Sequence, residues 1–359
     1  MNKRYLPFLA PALLALLFAL WAGLLRLGWV LPSTRGLALA HGPLMVSGFL
    51  GALIALERAV ALKQKWMFAA PLLAGLGWLA ALLAPTLPLG AILFASSSAA
   101  AVGILLVIVR REPALHTVTM LVGMSLWLAA NFLWLSGKSI FQVVYFWQAF
   151  LILTIAGERL ELNRVLRPSR RQQNLFGVLA ATLLAGVVIT AFNLQLGVRL
   201  SGFGMLSLAL WSLPNDIAWR NVRHSLPLTR YIAWCLALGF VWLGIGGALN
   251  LIFGAQAAGS LYDALLHAVF VGFVISMIFG HAPIIFPAIL GVPINFQPAF
   301  YLHLALLHLS LALRVVSDLM NWTQARMWGG LLNEIAILIF LGMTIYSVRK
   351  GMKAGTVSS

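Results

Sequence analysis

"LLHAVFVGFVISMIFGHAPIIFP", Leu265 to Pro287, decides the fold. As a helix this run is long enough to cross the ~30 Å hydrocarbon core of a bilayer. It also carries a histidine near each end, His267 and His281. An ionisable side chain inside an apolar span is costly, so each marks a candidate functional position. A counterpart lies far upstream in "HGPLMVSGFLGALIALER", His41 to Arg58.

Working outward, the same apolar character fills the chain. Of its 359 residues, 62% are hydrophobic and 9% charged, against about 25% charged in a soluble domain. Apolar runs near 6–30, 38–60, 66–84, 89–109, 115–136, 140–161, 174–194, 198–214, 230–253, 261–286, 299–317 and 327–348 predict an all-α polytopic membrane protein of about twelve transmembrane helices. Alternation over segments of ~10 residues, the mark of a β-barrel, is missing. The single cysteine, Cys235, excludes an internal disulfide and a Cys-based metal cluster. Lys3 and Arg4 precede a first run that is too long for a cleaved signal and lacks a small-residue cleavage site, which predicts a retained helix. No phosphate loop, dinucleotide fingerprint or zinc-protease helix is present, and no catalytic residue is assigned.

The net charge of +16 does not point to nucleic acid. With the amino terminus inside, 18 of the 24 Lys and Arg fall on one side, Lys63, Arg110, Arg164, Arg170, Arg223 and Arg349 among them. That is the positive-inside pattern, and it places both termini in the cytoplasm with the lipid bilayer as the partner. One inner loop departs from it. "PIIFPAILGVPINFQP", Pro283 to Pro298, has four prolines and no base, so it is expected to pack back into protein.

A three-fold repeat fits the chain. Phe49, Phe150 and Phe273 each follow a Gly or Ala, each has Ile five residues on, and eight residues on come Glu57, Glu158 and His281. These lie on spans two, six and ten, which matches three units of four helices with boundaries at 1–110, 111–225 and 226–359 within one integral membrane domain. Shared positive-inside constraints account for part of the match.

His41 and His267 fall at the outer ends of spans two and ten. Measured from Glu57 and His281, their depths differ by only ~3 Å at ~1.5 Å per residue. Two neutral imidazoles at one depth on different helices suit the two axial positions of a haem iron. The competing explanation for either one alone is an interfacial histidine with its polar edge in water. Arg35 and Arg326 on the outer side match haem propionates in charge and geometry. For Arg314, local pairing with Asp318 at i,i+4 is the better expectation. His281, His303 and His308 form a second candidate set for a metal, against the reading of hydrogen-bonded helix contacts or a proton relay. His303 and His308 are five residues apart and do not share one helix face. His116 and His224 lie near inner loops and receive no role. Glu57 and Glu158, each next to Arg, read as interfacial ion pairs.

These residues resemble the haem–copper oxidase catalytic-subunit superfamily and, within it, the NnrS family. That family carries a second-helix motif of the type H-x-H-E-M-x-x-G-F, of which "HGPLMVSGF" keeps His41, Met45, Gly48 and Phe49. Pro43 and Leu44 replace the motif's second His and its Glu, and spans six and seven have no histidine to hold copper. The resemblance therefore implies b-type haem between spans two and ten, with His41 and His267 as axial ligands, rather than a complete binuclear centre. It further implies a bacterial inner-membrane protein linked to nitric oxide or respiratory metabolism, with an electron-transfer partner or a small gaseous ligand. The alternative is a haem-free multi-pass transporter or channel that uses intramembrane His and Glu.

Overall fold

The computed structural model describes residues 3–34, 36–292 and 294–357. It is all-helical, with no strand among the described residues. Twelve of its helices are long and apolar enough to cross a membrane, the pattern of a multi-pass membrane protein. They are α1 (Leu6–Leu27), α2 (Leu37–Leu62), α3 (Lys65–Leu83), α4 (Leu89–Arg111), α5 (Leu115–Leu135), α6 (Ile140–Leu166), α7 (Arg170–Ile189), α8 (Leu194–Asn215), α9 (Pro227–Phe253), α10 (Gly259–Leu290), α11 (Phe300–Leu319) and α12 (Thr323–Lys350). Arg35 and Pro293 lie outside the described residues.

Local chemistry explains where several helices begin and end. Ser169 accepts a hydrogen bond from the Gln172 amide while the Gln172 side chain accepts from the Ser169 amide, a capping box that starts α7. Asn193 caps α8 through the Leu196 amide at 3.0 Å. Gly254 ends α9 with φ +67°, and a Cβ there would collide with Gln195, whose amide pairs with Ala255 instead.

The chain divides into two compact units within α6, residues 2–157 and residues 158–359. In the first, small residues let helices approach closely. A Cβ on Gly51 of α2 would overlap the Trp127 ring of α5, and one on Gly123 of α5 would lie 2.9 Å from Thr154 of α6. In the second unit, α8 and α9 touch backbone to backbone. A Cβ on Gly202 would meet the Gly247 carbonyl at 2.7 Å, and one on Gly247 would meet the Gly202 carbonyl at 2.8 Å. Close packing of this kind is the main source of helix association where lipid is as apolar as the side chains.

Two helices share an irregularity. α2 is π-helical over Leu44–Gly51 and α10 over Ala268–Ile275. Each π segment begins five residues before its phenylalanine, Phe49 or Phe273, and ends two residues after it. The glycines before them also match, because a Cβ on Gly48 would crowd Trp78 of α3 and one on Gly272 would overlap Trp242 of α9. The equivalence of spans two and ten thus has a backbone signature. α6 lacks it and is regular α-helix around Phe150.

The region after His281 differs from expectation. α10 continues through Pro283 and Pro287 to Leu290, so His281 lies inside the helix rather than at its end. What remains of the proline-rich loop is short, and its Val292 and Ile294 are buried, as an apolar loop requires.

Candidate functional site

The ionisable residues of the second unit form a line along α10 and α11. At one end, the α10 residue Asp263 receives Arg314 of α11 through two hydrogen bonds, Nε to Oδ2 at 2.7 Å and NH2 to Oδ1 at 2.8 Å. This fork-to-fork geometry is the strongest form of the pair. Arg314 therefore bonds Asp263 across helices rather than Asp318 one turn away on its own helix. The i,i+4 expectation fails because α10 presents a carboxylate whose two oxygens take Nε and NH2 together.

His267 belongs to the same cluster. Its Nδ1 lies 2.9 Å from the Asp263 carbonyl and 3.1 Å from Oδ1, and its Nε2 lies 3.4 Å from the Arg314 NH2. A carbonyl only accepts, so Nδ1 carries the proton, and the Arg314 donor faces the Nε2 lone pair. On α12, Arg326 places Nε 3.8 Å from the Asp318 carboxylate, and Glu334 is the further carboxyl on the Arg314 side.

About two turns deeper lies a hydrogen-bonded chain. The Trp242 indole of α9 donates to His308 Nδ1 at 2.9 Å. Because indole N–H is only a donor, the His308 proton must sit on Nε2, which faces Ser276 Oγ at 3.3 Å. Ser276 in turn donates to the Cys235 carbonyl at 2.7 Å. The π segment of α10 ends immediately before Ser276.

Further along, His303 meets the Tyr231 hydroxyl at 2.8 Å and is enclosed by Phe279, Phe300 and Phe340. Its Nδ1 is buried with no hydrogen-bond partner among the described residues. His281 donates Nδ1–H to the Met277 carbonyl at 2.7 Å, which leaves Nε2 buried and likewise unpartnered. The charges of Glu158, Arg159 and Asp216 act on this ring.

The opposite end of the line is the buried Asp216. It accepts from Arg159 through both carboxylate oxygens, from Asn163 at 3.2 Å and from the Ala218 amide at 2.8 Å. By sequence alone, Arg159 pairs at the interface with the adjacent Glu158. Its guanidinium instead closes a buried ion pair more than fifty residues away, which a local reading cannot find.

In the first unit, His41 of α2 has Nδ1 2.7 Å from the Ala19 carbonyl of α1. Ser47, in the π segment, accepts from Trp127 and donates to Asn131, which also receives Trp147 and donates to Ser98. This buried polar network was not anticipated, since none of its members is ionisable. Among the remaining sequence candidates, His116 lies 3.7 Å from Glu112 and His224 accepts from the Leu226 amide.

The fit of haem can be tested on these donors. Nδ1–H held by a carbonyl or carboxylate fixes the ring so that Nε2 can face a metal, and both His41 and His267 are held in this way. At His267 the coordinating nitrogen faces a guanidinium, which opposes a metal cation there, so His267 as placed does not fit an axial ligand. Arg326 neighbours Asp318, and Arg35 lies outside the described residues. His281, His303 and His308 each have separate surroundings. Among the described residues, no group of three or more His, Cys, Asp or Glu is placed to hold a metal ion.

A family model described as Domain of unknown function (DUF8744) matches residues 4–349. The chain belongs to that family. No curated protein and no solved structure matches it. Membership covers all twelve membrane-length helices, so the line of ionisable residues lies wholly inside the family's domain.

Proposed function

We propose that this is a haem-free multi-pass membrane protein that moves protons through its second unit, either as a channel or coupled to a solute. The observation that carries the reading is the line Asp263–His267–Arg314, Trp242–His308–Ser276, Tyr231–His303, His281 and Arg159–Asp216. From Asp263 to His281 it runs roughly 27 Å along α10 at ~1.5 Å per residue, close to the ~30 Å of a hydrocarbon core. Histidines and acids inside membrane helices characteristically serve as proton relays. The neutral His308 can take a proton on Nδ1 once the Trp242 indole swings away from that nitrogen, and release the proton of Nε2 toward Ser276. The basic loops support a bacterial inner-membrane location with both termini in the cytoplasm, which puts Asp216 and His281 nearer the cytoplasm and Asp263 nearer the outside.

The test is proton flux into liposomes that contain the purified protein and a trapped pH-sensitive dye, driven by a potassium-diffusion potential. Flux well above that of protein-free vesicles is expected, with His308→Phe reducing it and His308→Gln, which keeps an acceptor for Trp242, giving an intermediate rate. Wild-type flux equal to that of empty vesicles, with or without added solutes, refutes the reading.

One observation favours a second reading, b-type haem with His41 as an axial ligand. It is the anchoring of His41 Nδ1 by the Ala19 carbonyl. Bound haem would supply an iron centre able to carry an electron or hold a small gaseous ligand. Reduced-minus-oxidised spectra of wild type, His41→Ala and His267→Ala distinguish the readings. Absence of stoichiometric haem after expression with ample haem removes this one.

A further inference from the structure

We propose that Asp318 is the proton-binding carboxyl at the outer end of this line. The inference rests on the proton-moving reading above and names a site within it. The second unit contains three aspartates, all in or beside helix ends, and their surroundings differ sharply. Asp216 accepts four hydrogen bonds. Asp263 accepts two from Arg314 and lies against His267. The Asp318 side chain is 0% exposed, yet neither of its oxygens has a hydrogen-bond partner among the described residues.

A carboxylate stripped of water and given no donor is among the costliest groups a fold can hold. It needs a cation, and its surroundings indicate which one. The charged groups facing it are Asp263 from α10, Arg314 from its own helix and Arg326 from α12. Arg314 is committed to Asp263. Arg326 Nε stands at 3.8 Å, an ion pair beyond hydrogen-bonding distance, and that nitrogen has no hydrogen-bond partner among the described residues. The Asp263 carboxyl also faces it, and two groups that otherwise only accept can lie near one another without repulsion when a proton sits on one of them. A metal ion would need several oxygen ligands and would be repelled by the two guanidinium groups, whereas a proton needs one oxygen.

Location adds to the argument. Asp318 lies in the last turn of α11, against the start of α12, at the end of the line that begins with Asp263 and His267. A proton taken up here has a neighbouring acceptor in Asp263, and His267 lies against that carboxylate.

The experiment treats the purified full-length protein with dicyclohexylcarbodiimide, which modifies protonated carboxyls in apolar surroundings. Labelled positions are located by peptide mass spectrometry, in choline chloride and in sodium chloride of equal concentration. Labelling at Asp318 in both salts, together with loss of liposome proton flux in Asp318→Asn and its partial recovery in Asp318→Glu, is the expected result. Protection by sodium overturns the proton assignment in favour of a sodium site. Absence of label at Asp318, or wild-type flux in Asp318→Asn, overturns the site while leaving the proton-moving reading standing. Labelling at Asp318 in a wild-type protein that shows no flux upholds the site and defeats that reading. The labelling needs only the wild-type chain, so a variant that fails to fold does not block it.

Discussion

The Arg159–Asp216 pair offers the sharpest quantitative test of the packing. Arg159 is 6% exposed and Asp216 1% exposed, and the pair is bidentate. Replacing Asp216 with Leu leaves a buried guanidinium with no counter-charge, a loss of about 3–5 kcal/mol. It also removes the acceptor for the Ala218 amide and the Asn163 side chain, adding ~1–2 kcal/mol for the lost cap. Arg159→Met alone leaves a carboxylate that keeps those two neutral donors, so its cost falls at the low end, ~3 kcal/mol. In the double variant no buried charge remains. Its cost should be chiefly the cap term, ~1–2 kcal/mol, because replacing both partners with apolar groups is often neutral. Unfolding by sodium dodecyl sulfate in mixed micelles, followed by tryptophan fluorescence, measures all three. The two single losses should together exceed the double loss by far more than the ~0.5 kcal/mol that separates independent sites. Additive losses, or single variants within ~1 kcal/mol of wild type, would refute a buried, mutually dependent pair.

Three further outcomes are expected. Gly272→Val should destabilise the protein by at least ~1–3 kcal/mol in the same assay, since any Cβ there overlaps Trp242, whereas Gly342→Ala should be neutral or slightly stabilising because nothing lies near its Cβ. Trp242→Phe should cost ~1–3 kcal/mol by leaving His308 Nδ1 without its donor, and the combination with His308→Phe should cost less than the sum of the two single changes. Cys235 is fully buried, so a maleimide should leave the folded protein unmodified and label it stoichiometrically once it is denatured.

Much of the architecture was legible without coordinates because its cause is local. A run of about twenty apolar residues has one stable fate in a bilayer, a helix with all its backbone bonds internal. All twelve expected spans are present as helices, with ends shifted by a few residues. The largest departure is at α7, expected over 174–194 and found over Arg170–Ile189, while α6 and α10 each continue by about one turn beyond the apolar run. In α10, Pro283 and Pro287 suggested an end, yet the helix passes through both, because burial of Phe286, Ile289 and Leu290 outweighs the hydrogen bonds that proline removes. The likeness of spans two and ten was visible in Phe49 and Phe273. That each sits in a π segment of identical placement was not, because π-helix has no composition of its own.

Twelve membrane-length helices, and the standing of His267, His281, His303 and His308 as candidates, follow from composition alone, because rarity in an apolar chain is a property of the chain and not of its folding. What these residues meet depends on helix packing. Arg314 chose Asp263 over the nearer Asp318, Arg159 reached Asp216, and His308 found Trp242 and Ser276. Asp318 was left buried without a donor. Each of these depends on which helix faces are brought together, and helix neighbours are chosen by packing of small residues such as Gly202 and Gly247. A polar side chain on one helix carries no record of its partner on another.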